Sequence, residues 1–123
     1  FRRLAGAEVD LSDRVRVAQD YARRWNCVLI LKGMPSVVGS PDGAVFINAT
    51  GNPALATAGT GDVLAGLCAG LLAQGLSPVP AAVCALHLGG AAADRYAAHR
   101  HRRTMIAMDL LDQLPLVLKE RFS

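Results

Sequence analysis

TGNPALATAGTGDVLAGL, residues 50–67, places glycines, small polar residues and one carboxylate directly before an apolar run. Gly59, Thr60 and Gly61 lead into a helix that the apolar spacing predicts from about residue 61 to residue 74. The first N–H groups of a helix lack internal acceptors, and the helix dipole favours negative charge, so phosphate binds readily at such a start. The stretch therefore predicts a backbone anion site at residues 59–61.

Asp62 is the charged residue of this stretch, and spacing alone leaves two interpretations of it open. An acidic residue in the first helical turn stabilises a helix by roughly 0.5–1 kcal/mol and need do nothing else. The same carboxylate could take the proton of a substrate hydroxyl during phosphoryl transfer. Two better-known phosphate motifs are excluded, because the lysine of GxxxxGK[ST] is absent and Leu64 replaces the third glycine of GxGxxG.

The residues before this stretch predict a helix, a strand and a hairpin. Apolar spacing over residues 15–25 predicts an amphipathic helix capped by Asp10 or Ser12. VLILK, residues 28–32, predicts a strand buried on both faces of a parallel sheet. SVVGS and AVFIN flank Pro41-Asp42-Gly43, which predicts a hairpin turn.

The residues after it predict further helices. Gly75 is expected to end the first helix, and a second, alanine-rich helix is expected to start at Pro78 or Pro80. Pro115 is expected to kink or break a last helix near Leu114. Small residues on the first helix predict close packing against a sheet: Ala65, Gly66, Ala69, Gly70 and Ala73. The order of elements predicts an α/β fold whose sheet is incomplete as written.

Composition bounds the function further. The chain has 123 residues, 52% of them hydrophobic, and a formal charge of +3 whose excess lies largely in residues 2–3 and 99–103, which suits a solvated face better than nucleic-acid binding. Its apolar stretches are interrupted before they could span a bilayer. Three widely spaced cysteines in apolar surroundings argue against disulfides and a zinc site, so we expect a cytoplasmic protein. Because the sequence opens on Phe1, we expect it to be cut from something longer.

Longer motifs carry a family resemblance. GTGDVLAG, residues 59–66, resembles the anion-hole and catalytic-aspartate motif of the ribokinase-like superfamily. The string from LKGMPS at residue 31 to LLAQG at residue 75 is similar to the ADP- or ATP-dependent NAD(P)H-hydrate dehydratases within it. FRRLAG at residues 1–6 and TMIAMDLLDQLP at residues 104–115 extend the similarity over nearly all of the chain. Residues 1–123 are thus expected to form the C-terminal portion of one domain with a three-layer α/β/α fold, here a buried strand, a hairpin and flanking helices.

The resemblance implies an activity: repair of hydrated NADH or NADPH. A nucleotide, ADP or ATP with Mg²⁺, would phosphorylate the ring hydroxyl, and loss of phosphate would restore the reduced cofactor. It also implies a homo-oligomer without nucleic-acid or membrane partners. Two alternatives stay open, a kinase of the same superfamily acting on a vitamin-precursor alcohol and an inactive nucleotide-binding fragment.

The resemblance also implies site residues. Asp62 matches the catalytic, substrate-contacting aspartate. Independently of the resemblance, Asn52 before Pro53 is either an ordinary turn former or a residue that contacts the substrate. The residues implied in nucleotide binding are Lys32, Gly33, Met34, Pro35, Ser36, Gly59, Thr60 and Gly61. No metal ligand is assigned. His87 is interpreted as a packing residue, and His99 with His101 as cations near a helix end rather than metal ligands.

Overall fold

The computed structural model describes residues 1–122, which divide into two compact units, Phe1–Asn48 and a second unit from Ala49 onward. The first unit contains helices α1 (Arg2–Ala5) and α2 (Arg14–Trp25) and strands β1 (Leu29–Leu31), β2 (Val37–Gly39) and β3 (Val45–Ile47). The second contains helices α3 (Thr60–Ala73), α4 (Pro78–His99) and α5 (Ala107–Phe122), with 3₁₀ turns at Pro53–Ala56 and Arg102–Thr104. Over residues 1–122, no helix combines the length and apolarity that crossing a bilayer requires.

The predicted amphipathic helix is present as α2, but its cap was assigned wrongly. Asp13 is the N-cap residue, and its carboxylate accepts a hydrogen bond from the Arg16 amide at 3.1 Å. Asp10 instead accepts hydrogen bonds from the amide and the hydroxyl of Ser12, which hold the pKa of the Asp10 carboxyl below its ordinary value. Because Asp10 and Ser12 satisfy each other in this local turn, the chain enters the helix only at Arg14.

The sheet of the first unit is antiparallel, with the strand order β1-β2-β3. Leu29 of β1 pairs with Gly39 of β2, and Val37 of β2 pairs with Ile47 of β3. Within the described residues, the prediction of a parallel strand buried on both faces is therefore wrong, since β1 pairs antiparallel and only its Leu31 is buried. A short apolar run specifies a strand but not the direction of its partner.

The predicted hairpin between β2 and β3 is confirmed. Its turn is closed by the Gly43 amide, which donates to the Ser40 carbonyl at 3.0 Å. The Asp42 carboxylate accepts from the Ala44 amide at 2.9 Å, and this bond holds the pKa of Asp42 below its ordinary value. The turn chemistry is local, which is why the sequence predicts it well.

The core of the second unit lies between α4 and α5. Ala92 and Ala93 of α4 are fully buried and cluster with Leu110 and Val117 of α5. Pro115 lies inside α5 without breaking it, so of the predicted kink or break near Leu114 the break does not occur. Leu110, Leu114 and Val117 hold the helix on the core from both sides of the proline.

The helix predicted at residues 61–74 is α3, and Gly75 follows its C-cap residue as expected. Of its side chains, however, only that of Thr60 is buried. Within residues 1–122, no atom outside the helix's own backbone lies within 4 Å of the place where a side chain at Gly66 or Gly70 would begin. The predicted close packing of this small-residue face is therefore absent among the described residues, although a helix that is apolar on all sides favours burial.

The cysteines are free thiols within residues 1–122. Cys27 is exposed, because it follows the turn that ends α2, whereas Cys68 and Cys84 are half-buried. Partial burial raises the pKa of the Cys68 thiol. The expectation of apolar surroundings is thus wrong for Cys27.

Candidate active site

The start of α3 presents backbone N–H groups without internal acceptors. Gly59 is the N-cap residue with φ 89°, a conformation that glycine adopts readily. Its carbonyl accepts hydrogen bonds from the amides of Asp62 at 3.1 Å and Val63 at 3.3 Å. Within residues 1–122, the amides of Gly59 and Gly61 make no hydrogen bond. These two N–H groups, at the positive end of the helix dipole, are suited to bind an anion.

The side chain of Thr60 is buried, and its hydrogen bonds stabilise the start of α3. It is 8% exposed, and its hydroxyl donates to the carbonyls of Leu55 at 2.7 Å and Thr57 at 2.9 Å. Its amide also points toward the Thr57 carbonyl, at 3.4 Å. The hydroxyl and amide of Thr60 are therefore engaged within the chain, so of residues 59–61 the two glycines offer the free donors.

Asp62 lies in the first turn of α3 and is exposed. No ion pair involves its carboxylate within the described residues. An ionised carboxylate beside two free amide donors can accept a proton from a hydroxyl group that is brought between them. Residues 59–62 are consecutive, so the fold brings these predicted site residues together directly.

Asn52 is held on the segment that leads toward α3. Its side-chain carbonyl accepts from the Ala54 amide at 2.9 Å, and its amide nitrogen donates to Asp94 at 3.0 Å. One N–H and one lone pair of the Asn52 side chain remain for a ligand. Asn52 also lines an open surface depression of about 520 Å³, whose other lining residues are Asp94, Ala97, Arg100, His101 and Arg102.

The predicted nucleotide-binding residues 32–36 form a turn between β1 and β2 in the first unit. The Ser36 hydroxyl and the Gly33 backbone bond each other, since the Gly33 amide and carbonyl each lie 3.1 Å from Ser36 Oγ. Lys32 and Met34 are exposed, and the peptide bond between Met34 and Pro35 is cis. The hydrogen bonds between Gly33 and Ser36 thus close the turn, and the Lys32 side chain is exposed to solvent.

Arg14 holds this turn in place, a role that its position outside the apolar stripe of α2 did not predict. Its guanidinium donates to the carbonyls of Lys32 at 2.8 Å and Leu31 at 3.1 Å, and also to that of Pro35. Five donors in a fixed fork allow arginine to bind several carbonyls at once. No spacing rule identifies such a residue, because its partners lie 17 to 21 positions away.

We expect Arg14→Met to weaken nucleotide binding about tenfold, because it removes the guanidinium while it keeps an unbranched side chain. Hydrogen bonds from a charged donor contribute about 1.5–3 kcal/mol each, of which only part would appear in ligand affinity. Calorimetric titration with ADP measures the change. Arg16→Met is the matched control, since Arg16 is 78% exposed and pairs only loosely with Asp20, at 3.9 Å. Equal affinities for the two variants would contradict the role of Arg14.

The histidines form no metal centre in the part of the chain that the structure describes. No group of three histidine, cysteine, aspartate or glutamate side chains in residues 1–122 is placed to hold a metal ion. His99 and His101 lie exposed at the end of α4, where His101 Nδ1 accepts from the Arg103 amide at 3.2 Å. His87 is half-buried on α4.

The chain is similar to a known protein family and to individual proteins within it. A family model described as NAD(P)H-hydrate dehydratase matches residues 1–116. A bifunctional NAD(P)H-hydrate repair enzyme of Salinibacter ruber is 63% identical over 123 residues, which are all of this chain and 23% of that relative. An ADP-dependent (S)-NAD(P)H-hydrate dehydratase of Bacillus subtilis is 37% identical over 121 residues, 97% of this chain and 44% of that relative.

A solved structure agrees with these sequence matches. The crystal structure of an ADP/ATP-dependent NAD(P)H-hydrate dehydratase from Bacillus subtilis, co-crystallized with ATP/Mg²⁺ and soaked with CoA, matches with a TM-score of 0.93 and 38% identity. The match covers 98% of this chain and 45% of that one. The predicted ribokinase-like fold class is thereby confirmed, and the chain spans less than half the length of these relatives.

Proposed function

The chain belongs to the NAD(P)H-hydrate dehydratase family, and from that membership we propose that it carries the phosphate site and the catalytic carboxylate of a hydro-lyase that repairs hydrated NADH and NADPH. The co-substrate is ADP or ATP. In the hydrate, water has added across the dihydropyridine ring, and hydroxide is a poor leaving group. Phosphorylation converts that hydroxyl into a group that leaves easily.

The proposed reaction has two steps, phosphorylation of the ring hydroxyl and then loss of phosphate. In the first, the ring hydroxyl oxygen attacks the terminal phosphorus of the nucleotide, the phosphoanhydride bond breaks, AMP or ADP leaves, and the hydroxyl proton passes to Asp62. In the second, the carbon–oxygen bond breaks with help from the lone pair of the ring nitrogen, and the neighbouring carbon loses a proton. Phosphate and NADH or NADPH are the products.

The observation that carries this proposal is the free Gly61 amide beside the exposed Asp62 carboxylate at the start of α3. A phosphate on the Gly59 and Gly61 amides would place the reacting phosphorus next to the base that must take the proton. The helix dipole would stabilise the negative charge that develops on the phosphate oxygens. Thr60 contributes by fixing the helix start from inside.

From the family resemblance of their motif, we assign residues 32–36 to nucleotide binding. Lys32 is an exposed cation on a flexible stem, suited to a phosphate or a ribose hydroxyl. Asn52, with one donor and one acceptor position open, is assigned to the dinucleotide substrate. The first assignment rests on the family resemblance of residues 32–36, and the second on the hydrogen bonds that leave Asn52 one donor and one acceptor position.

The family resemblance implies a Mg²⁺ ion with the nucleotide. Within residues 1–122, no group of three metal-binding side chains is placed to hold that ion, and the phosphate oxygens of the nucleotide are ligands that Mg²⁺ prefers. In this proposal the Asp62 carboxylate accepts the proton, and the Gly59 and Gly61 amides contact the phosphate.

The test is an assay of hydrated NADPH with ADP or with ATP. Because the chain spans 44% of the Bacillus subtilis relative, we would assay the chain itself and a chimera in which residues 1–122 replace the matching segment of that enzyme. We expect nucleotide-dependent release of NADPH, phosphate and AMP or ADP. Absence of turnover in both proteins, when both bind ADP, would contradict the proposal.

A kinase acting on a vitamin-precursor alcohol is the competing activity within the superfamily. The relatives matched over 97% or more of this chain carry dehydratase or hydrate-repair names, which favours the dehydratase. The same assay separates the two, because a kinase would accumulate a stable phosphorylated alcohol and release no NADPH. The homo-oligomer and the cytoplasmic location stay predictions.

A further inference from the structure

Asp94, on the exposed side of α4, holds the segment before the candidate active site through both carboxylate oxygens. One oxygen accepts a hydrogen bond from the Gly51 amide at 2.9 Å, and the other accepts from the Asn52 side chain at 3.0 Å. The two donors are neutral and lie 42 and 43 positions away along the chain. A carboxylate that faces two donors in this way fixes the position of the segment that carries them.

The same face of α4 supports the segment at a second point. The Thr50 hydroxyl donates to the His87 carbonyl at 3.0 Å, and Thr50 packs directly against Gly90. Gly90 and Asp94 are one helical turn apart and therefore share a face of the helix. Residues 50–52 thus pack along the face of α4 that carries Gly90 and Asp94, and the charged side chain of Asp94 lies at one end of this contact.

Hydrogen bonds, together with the peptide bond between Ala54 and Leu55, connect this segment to α3. Asn52, oriented by Asp94, caps the 3₁₀ turn Pro53–Ala56 by accepting from the Ala54 amide. The Leu55 carbonyl in that turn accepts from the buried Thr60 hydroxyl. Thr60 is the first residue of α3 and the neighbour of Gly61, so the position of the free Gly61 amide depends on the turn.

We propose that Asp94 is a positioning residue for the phosphate site at residues 59–62, acting through Asn52 and the 53–56 turn. The catalytic consequence rests on the proposed function, whereas the structural consequence does not. Displacement of reacting groups by about 1 Å can lower a rate on the order of 100-fold. Loss of Asp94 should therefore lower kcat much more than it changes the affinity for nucleotide.

Asp94→Asn tests this proposal. An asparagine at this position turns one NH₂ group toward a donor, so one of the two hydrogen bonds is lost. We expect kcat to fall about 10- to 100-fold and KM for ADP to change less than about threefold. Asp112→Asn, an exposed aspartate of α5, is the matched control and should leave both values unchanged.

A reciprocal exchange tests whether the hydrogen bonds among residues 51, 52 and 94 carry the effect. In the double variant Asn52→Asp with Asp94→Asn, the new carboxylate still accepts from the Ala54 amide and the new amide can both accept from Gly51 and donate to residue 52. All three hydrogen bonds are thereby restored, and only the bond between residues 52 and 94 is reversed in direction. Because Asn52 is itself assigned to substrate contact, the rescue is scored on the backbone amide signals of Thr60 and Gly61 rather than on kcat, and a failure of these signals to return toward their wild-type positions would overturn the proposal.

An activity-independent readout separates this proposal from the proposed function. In the chain itself, the ¹H–¹⁵N signals of the Thr60 and Gly61 amides should move in Asp94→Asn, return toward their original positions in the double variant and stay in place in Asp112→Asn. Unmoved signals in Asp94→Asn would overturn the positioning role even if the wild type is an active dehydratase. Moved signals, together with no turnover in either the wild-type chain or the chimera when both bind ADP, would leave the positioning role standing and contradict the proposed function.

Discussion

Asp62→Asn is expected to lower turnover of hydrated NADPH by about 10³-fold, with the Kd for ADP within about threefold of the wild type. Asparagine keeps the shape of the side chain but cannot take a proton at neutral pH, and general-base catalysis contributes typically about 10²- to 10⁴-fold. Because Asp62 is exposed and forms no ion pair within residues 1–122, the substitution should leave the fold intact. Turnover is measured by the reappearance of NADPH absorbance, and affinity by calorimetry.

Asp112→Asn is the matched control for this experiment, because it removes an exposed carboxylate from another helix of the same unit. Its turnover should equal that of the wild type. If Asp62→Asn retains turnover within about tenfold of the wild type, Asp62 acts only as a favourable residue in the first helical turn.

Gly90→Ala is expected to lower the free energy of unfolding by about 2–4 kcal/mol. A Cβ atom at residue 90 would lie 2.1 Å from Thr50 Oγ1 and 2.7 Å from the Thr50 carbonyl carbon. The second contact is with backbone, so no side-chain rotation relieves it. Residues 50–52 would have to leave α4, and the bond from Thr50 to His87 would break.

Urea unfolding monitored by circular dichroism measures this loss. Gly66→Ala in α3 is the control, because a Cβ at residue 66 meets no atom within 4 Å and alanine is favoured over glycine in a helix by about 0.5–1 kcal/mol. We expect Gly66→Ala to match or exceed the wild type in stability. A loss below about 1 kcal/mol in Gly90→Ala would show that residues 50–52 do not pack tightly on α4.

Local chemistry accounts for what the sequence predicted well. The glycine-led start of α3, its end at Gly75 and the turn at residues 41–43 depend on the backbone preferences of adjacent residues, and the structure confirms all three. The candidate phosphate site is of the same kind, because its donors and its carboxylate lie within residues 59–62.

Interactions between distant residues account for what the sequence did not predict. Arg14 and Asp94 bind backbone and side-chain groups at least 17 positions away, and neither residue stands out in charge or spacing. The direction of the pairing of β1 likewise depends on its neighbour rather than on its own residues. Pro115 does not break α5, because core contacts on both sides of it outweigh the lost hydrogen bond.

A crystal structure of the chain, or of the chimera, grown with ADP tests the central claim most directly. We predict a phosphate oxygen about 3 Å from the Gly61 amide nitrogen, with the Asp62 carboxylate facing the same space. An ADP molecule whose phosphates lie elsewhere, with the Gly61 amide bonded to a protein carbonyl and Asp62 directed into bulk water, would contradict it.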